Sequence, residues 1–377
     1  MHTIHVNKKK KTFSRLRISP LIGMSLTGLI QLVSRHGVHP PYIKKLMLPL
    51  LLAFLTTPLR LIDRMRLLFK GQKLKGKDLE PLFIIGHWRS GTTHLHNLLS
   101  LDTQRGYMDT FMSVFPEWDT IKTPVKRFIG PLLNQTRPGD NVRISLDHPQ
   151  EDEFALNNLG IHSYYHFMYF PEDYKKLYEN YVSFASSKKK KAWIKNYVYL
   201  LQKIARISGK KQLILKNPVN TARLSLLTEL FPKAKFIFIH RHPVDVYLST
   251  VNFYTQLFAE LNLQNFPSED IPELVIDVYQ KLLNDYLQQK ESLPAHQLIE
   301  ISYDELDTSP QATVRQIYRQ LKLNYSGAFD ASLKKYLHTV AAYKKSQRPV
   351  SPDTLERLRS DWAFAFEEWN YTHERQT

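Results

Sequence analysis

Cysteine is absent from the 377 residues. Disulfides, thiolate nucleophiles and cysteine metal sites are therefore excluded, and a reducing compartment is allowed. Histidine and carboxylates are the only other common ligands for a tightly held metal. The 15 histidines contain no H-E-x-x-H pair, and His94 and His96, two residues apart, face different sides of a helix. No metal is expected. Acidic residues are missing from one end of the chain: residues 1 to 77 hold sixteen Lys and Arg against the single acid Asp63, a net charge of +15 out of +17 for the whole chain. The remainder is nearly neutral, so the basic character belongs to an N-terminal segment and not to the globular body.

No uncharged run is long enough to cross a bilayer. Residues 18 to 34 place Ile22, Leu26, Leu29, Ile30 and Val33 at helical spacing, and residues 46 to 59 form a second uncharged run interrupted by Pro49 and Pro58. A bilayer core needs about 20 apolar residues, and proline breaks the pattern further. Nor does the first run carry the small-residue cleavage site of a secretory signal. Basic residues beside amphipathic apolar runs suit helices lying in an anionic membrane surface. Helices packed on the main domain are the alternative, and nucleic acid is not the expected partner. The chain is accordingly divided into a basic, apolar segment 1–77 and a domain 78–377.

A lysine is missing from the most informative motif. The apolar run Leu82 to Ile85 is followed by Gly86-His87-Trp88-Arg89-Ser90-Gly91-Thr92-Thr93 and then a helical stretch. Strand, glycine loop and helix start together present unpartnered N–H groups to an anion. A nucleotide triphosphatase loop reads G-x-x-x-x-G-K-[ST]. Here Thr92 replaces the lysine, and Arg89 is the loop's one cation. The loop is built for a phosphate-like group but not in the manner of an ordinary ATPase.

Beyond residue 77 short apolar runs alternate with helical stretches, which predicts parallel βαβ units in a three-layer α/β core. Strands are expected at Leu82–Ile85, Leu213–Leu215, Phe236–Ile239 and Gln297–Ile301. Helices are expected at Thr92–Ser100, Thr221–Leu230, Val244–Leu257 and from Pro310 to about Leu321. Between Asp102 and Gly209 the pattern predicts a helical insertion without a comparable strand. Its aromatic residues Tyr164, Tyr165, Phe167, Tyr169 and Phe170 suit either an acceptor pocket or a core beneath a lid. A second anion-binding turn is expected where Phe236–Ile239 ends in His240-Arg241-His242-Pro243, with Ser249 two helical turns beyond Arg241.

These motifs together resemble the sulfotransferases that use 3′-phosphoadenosine 5′-phosphosulfate (PAPS), in their bacterial-type branch with a helical insertion. The donor loop matches Arg89 to Thr93, and the 3′-phosphate motif matches Arg241 with Ser249. Further similarity runs through PQEDEFAL from Pro149, LILKNP from Leu213, LFPKAKFIFIHRHPVDVYLS from Leu230 and ISYDEL from Ile301. It covers about residues 80 to 325. The resemblance implies a three-layer, P-loop-like parallel-sheet fold and transfer of a sulfuryl group from PAPS to a hydroxyl, with no metal. Arg89, Ser90, Gly91, Thr92 and Thr93 would hold the 5′-phosphosulfate, and Arg241 and Ser249 the 3′-phosphate. The base that accepts the hydroxyl proton is left between Asp109, Glu151 and His148. Asp109 stands about twenty residues after the loop's cation, where the family places an acid. Lys216, at a strand end, is expected to bridge donor and acceptor oxygens. Lys344, Lys345 and Arg348 are candidates to close over the 3′-phosphate. The basic, apolar N-terminus points to an amphiphilic or lipid-like acceptor and a cytoplasmic enzyme, peripheral on the inner face of the cell membrane. The alternatives are a glycan or small polar acceptor, a P-loop kinase, or a non-catalytic membrane-binding protein.

Overall fold

The computed structural model describes residues 19–69, 75–129, 145–339 and 350–372. Lys8 to Lys11, Lys344, Lys345 and Arg348 lie outside the described residues. A five-stranded parallel sheet forms the centre, made of β1 (Glu80–Ile85), β2 (Gly106–Tyr107), β3 (Gln212–Lys216), β4 (Lys235–His240) and β5 (Leu298–Ser302), in the spatial order β2-β3-β1-β4-β5. Register runs Phe83 beside Leu215 on one side and Phe236 on the other. All four expected strands are present. The fifth, β2, lies inside the 102–209 insertion, where no strand was expected. Two residues paired to Leu213 and Ile214 are too short to leave a period-two pattern.

The strands read as continuous apolar runs because both faces of a parallel sheet are covered by helices. Alternation divides them. Phe83, Ile85, Leu213, Leu215, Phe236 and Phe238 belong to the larger hydrophobic cluster. Leu82, Ile84, Ile214, Ile237 and Ile239 pack on the opposite face against Leu95, Leu98, Val314 and Ile317.

In chain order the helices that position the site are α1 (Leu26–His36), α2 (Lys44–Leu55), α3 (Thr57–Phe69), α4 (Thr92–Leu99), α5 (Thr110–Val114), α6 (Lys122–Ile129), α7 (Asp152–Leu159), α8 (Tyr174–Tyr181), α9 (Ser187–Ser208), α10 (Leu224–Leu230), α11 (Pro243–Leu261), α12 (Ile271–Lys290), α13 (Tyr303–Thr308) and α14 (Pro310–Gln320). The expected helix Thr221–Leu230 is split into a 3-10 turn, Pro218–Ala222, and α10. Arg223 sits at the break, its guanidinium buried against Glu153, Asn220 and the Tyr181 carbonyl.

The N-terminal apolar runs behave differently from one another. Ser25 caps α1 by accepting from the Gly28 N–H at 3.1 Å. Leu21, Met24, Leu29 and Leu32 are buried in the larger cluster, so the first run is a docked element of the domain. Asn158 Nδ2 donates to the Pro20 and Val114 carbonyls at 2.9 and 2.8 Å, tying this entry segment to α5 and α7. The second run forms α2 and continues, after a bend of 52°, into α3. Pro49, expected to break the pattern, is accommodated inside α2 with its ring buried, whereas Pro58 does coincide with the break. Among the described residues no single helix is long and apolar enough to cross a membrane.

Candidate active site

The site lies at the carboxyl edge of the sheet, where β1 is flanked by β3 and β4 and successive crossovers diverge. Such a switch point leaves a crevice open to a ligand. The loop after β1 enters it with three residues at positive φ: Gly86 at 135°, Arg89 at 69° and Gly91 at 105°. A Cβ on Gly86 would lie 2.4 Å from the Ile239 carbonyl oxygen, and one on Gly91 2.4 Å from the Tyr303 ring. Both glycines are therefore required by backbone conformation and by close approach. Gly86 N–H donates to Thr221 Oγ1 at 2.8 Å, and Ser90 Oγ donates to the His87 carbonyl at 2.8 Å. α4 then starts at Thr92, so its N–H groups point into the crevice.

Arg89 has no glycine's freedom, and its left-handed backbone marks local strain of the kind found at functional sites. Its Nε donates to Ser249 Oγ at 2.9 Å. The two anion-binding motifs read separately from the sequence are thus in direct contact. Arg241, just past β4, pairs with Asp245 at 3.3 Å and lies over the Tyr303 ring with its guanidinium carbon 4.4 Å from the centroid. The chain's C-terminal end meets the same turn: His240 Nδ1 and Tyr371 Oη are 2.7 Å apart, and His242 Nε2 is 3.1 Å from the Thr372 carbonyl. Burial pushes the His240 imidazole down to about 4, which keeps it neutral near pH 7. Nothing in the sequence had singled out Tyr371.

Lys216 ends β3 with its side chain 1% exposed. Its ammonium pairs with Glu151 Oε1 and lies 3.4 Å from Thr93 Oγ1. Glu151 is the N-cap residue of α7, and its other oxygen accepts from the Tyr165 hydroxyl. Tyr165 in turn accepts from Trp88 Nε1 at 3.0 Å. Trp88, Tyr165, Glu151, Lys216 and Thr93 thereby form one chain of contacts that returns to the loop. Burial, and then the neighbouring Glu151 carboxylate, hold the Tyr165 phenol well above its usual value, so it stays a donor. The insertion's other aromatics, Tyr164, Phe167, Tyr169 and Phe170, are fully buried core. Sequence reasoning had Tyr165 only as one of that group, because a phenol that orients a carboxylate leaves the same pattern as one that packs.

The two acids after Glu151 face inward. Glu153 pairs with Arg223 at 3.0 Å and accepts from Asn217 Nδ2 at 2.8 Å and Ser163 Oγ at 2.8 Å. Asp152 accepts from Tyr197 Oη at 2.7 Å and from Asn217 Nδ2 at 3.3 Å. Burial raises the Asp152 carboxyl to about 7. Asn217, held by both acids, follows Lys216 directly, so this buried network fixes the backbone that carries the lysine.

Asp109 is engaged elsewhere. It caps α5, accepting from the Met112 N–H at 2.8 Å, and its second oxygen pairs with Lys122 at 2.9 Å and Lys126 at 3.1 Å. Backbone pairing brings its strand of chain alongside His148 and Glu151: Thr110 N–H donates to the His148 carbonyl at 2.8 Å, and Gln150 N–H to the Met108 carbonyl at 2.9 Å. His148 itself is exposed. The structure thus gathers Arg89, Ser90, Gly91, Thr92, Thr93, Ser249, Lys216 and Glu151 around the β1 loop, with Arg241 across the turn after β4. Among the described residues no group of three His, Asp or Glu is placed to hold a metal ion.

A parallel sheet whose central strand ends in a phosphate-type loop lacking the triphosphatase lysine, beside a second arginine turn, defines a P-loop-like group-transfer enzyme. The sequence pattern of the Sulfotransferase family matches residues 81–327, and the chain belongs to that family. It is 29% identical over 293 residues to the omega-hydroxy-beta-dihydromenaquinone-9 sulfotransferase Stf3 of Mycobacterium bovis and of Mycobacterium tuberculosis, spanning 77% of this chain and 75% of each relative. The fold is shared with sulfotransferase STF9 of Mycobacterium avium at a TM-score of 0.66 and 16% identity, covering 95% of this chain and 98% of that one. It is shared also with STF1 of Mycobacterium tuberculosis at 0.60 and 17%, covering 90% and 91%.

Proposed function

We propose that this sulfotransferase moves a sulfuryl group from PAPS to the hydroxyl of an amphiphilic, lipid-like acceptor, with Glu151 as the base. The observation that carries the assignment is the contact chain from the β1 loop through Lys216 to Glu151. The donor supplies an activated sulfuryl group on a phosphate leaving group. The N–H groups at the start of α4, with Ser90, Thr92 and Thr93, are suited to its 5′ end, and Arg89 adds charge to them. Arg241 and Ser249 suit the 3′-phosphate, since a guanidinium offers paired donors to phosphate oxygens.

Glu151 accepts the proton as the acceptor oxygen bonds to sulfur and the sulfur–oxygen bond to phosphate breaks. Lys216 holds the carboxylate and places positive charge between it and Thr93, where the leaving oxygen gains charge. Tyr165 and Trp88 fix the second carboxylate oxygen. Asp109 is held by its helix cap and by Lys122 and Lys126 of α6, whereas Glu151 is joined through Lys216 to Thr93 of the β1 loop, which favours Glu151 over it, and His148 faces solvent. None of these roles requires a metal.

An amphiphilic acceptor is favoured by the basic, apolar segment 1–77, and the relative of named function acts on a menaquinone derivative. Such an acceptor suits a cytoplasmic enzyme lying on the anionic inner face of the cell membrane. The test uses labelled PAPS with a host lipid extract: label in the organic phase is expected, and label confined to the polar fraction overturns the acceptor class. Thermal stabilisation by 3′,5′-adenosine bisphosphate but not by ATP with magnesium is expected, and the reverse overturns the donor.

A further inference from the structure

Large apolar side chains left on the surface are concentrated in one place. Of the eleven that are exposed among the described residues, nine lie between Ile43 and Met65, at the N-cap of α2 and on α2 and α3. Ile43, Met47, Leu51 and Leu55 recur every four residues, which lines them along one face of a helix. Met47 and Phe54 are 67% and 65% exposed. A contiguous patch of this kind is unusual on a protein that meets only water.

The opposite face is anchored. Leu46, Pro49 and Ala53 are buried, and Lys45 donates to the Glu260 and Asn262 carbonyls at 3.0 and 3.1 Å, at the end of α11. From α3 the buried Arg60 donates to the Gly23 and Met24 carbonyls at 2.9 Å each and pairs with Glu117 at 3.3 Å. The patch is therefore a rigid outer surface of the folded domain. Its charge is of one sign. Lys44 and Arg66 are exposed at its borders, while Asp63, the one acid of residues 1–77, is buried. That segment's +15 opposes pairing with a second copy of itself and complements a negatively charged surface. Twelve residues of α2 rise about 18 Å, short of the roughly 30 Å of a hydrocarbon core, and the 52° bend prevents α2 and α3 from acting as one straight span.

We propose that the bent α2–α3 pair is a monotopic docking face that lies flat in the surface of an anionic phospholipid leaflet. Its apolar stripe enters the acyl boundary, and the exposed Lys44 and Arg66 meet lipid phosphates. Docking stands on this face alone, whereas its use in presenting a lipid acceptor rests on the function proposed above. The entry segment before α1 joins α2 and α3 to α5 and α7, so the insertion side that carries Glu151 is held in fixed relation to the lipid surface.

Vesicles of phosphatidylcholine, with and without phosphatidylglycerol, are mixed with the full chain and with the triple variant Met47→Asp, Leu51→Asp, Phe54→Asp, and sedimented. The wild type is expected to sediment with the anionic vesicles, the variant about tenfold or more weakly, and both to be stabilised equally by 3′,5′-adenosine bisphosphate. Equal sedimentation of variant and wild type, or equal binding of the wild type to neutral vesicles, overturns the proposal. So does a stable dimer that the variant dissolves. Loss of bisphosphate stabilisation with vesicle binding intact would instead overturn the donor assignment and leave docking standing.

Discussion

Glu151 and Asp109 are both acids within reach of the same turn of chain, yet they differ in what their oxygens already do. Glu151→Gln is expected to lower kcat by about 10²–10⁴, with bisphosphate affinity little changed, as read by steady-state kinetics and calorimetry. Asp109→Asn is expected to leave kcat within a few-fold and, because Asn caps a helix as well as Asp, to reduce stability by about 0.2–1 kcal/mol through the lost ion pairs with Lys122 and Lys126; a kcat loss matching that of Glu151→Gln would transfer the base to Asp109. Arg241→Ala should weaken bisphosphate binding by about tenfold or more, as expected for a lost charged contact. Unchanged affinity would remove Arg241 from the donor site. Asp152 gives a pH signature. Its folded value of about 7 lies above the ordinary carboxylate range, so the stabilisation is complete below about pH 4 and is lost as pH rises through 7. Asp152→Asn should flatten that part of the stability profile, and parallel profiles for the two proteins would contradict the shift. The sequence brought Glu151 and Asp109 onto the same short list and went no further. The partners that separate them, Lys122, Lys126, Tyr165 and Lys216, come together only through folding.

At the level of elements, the strands were legible because each is a short apolar run bounded by turn residues, and the β1 loop because its glycines keep a fixed spacing. β2 was not, since a two-residue strand takes its place from Gly106 and Tyr107 pairing with β3 and not from any local pattern. Helix α1 comes from an amphipathic run and helix α2 from one that is apolar nearly all round, and the chain does not say how much of either will find a partner. The structure buries the face of α1 and only one face of α2, leaving Met47, Leu48, Leu51, Phe54 and Leu55 exposed. Leu29→Ala should therefore cost about 2–5 kcal/mol in chemical denaturation, the range for a core truncation. A loss below about 0.5 kcal/mol, typical of a surface change, would mean that α1 is not part of the domain.

For the whole molecule, two regions of unlike chemistry are joined by hydrogen bonds from α2 and α3 to the rest of the fold. The nearly neutral sheet and its anion site occupy one part, and the cationic, apolar bent pair α2–α3 another. Bisphosphate at a hundred times its dissociation constant should stabilise the full chain by about 2.7 kcal/mol, and the same increment is expected with vesicles bound. A different increment in the two states would show that docking alters the donor site.

The hydrogen bond between Arg89 and Ser249 sets the distance between the two anion-binding turns before any nucleotide arrives. On the proposed donor placement this makes the crevice a gauge. A nucleotide whose phosphates sit on opposite sides of its ribose can engage both turns at once, while one carrying all its phosphates in a single tail can satisfy one turn and leave the other empty. Discrimination against the cell's more abundant triphosphates would then depend on spacing, ahead of any reading of the base.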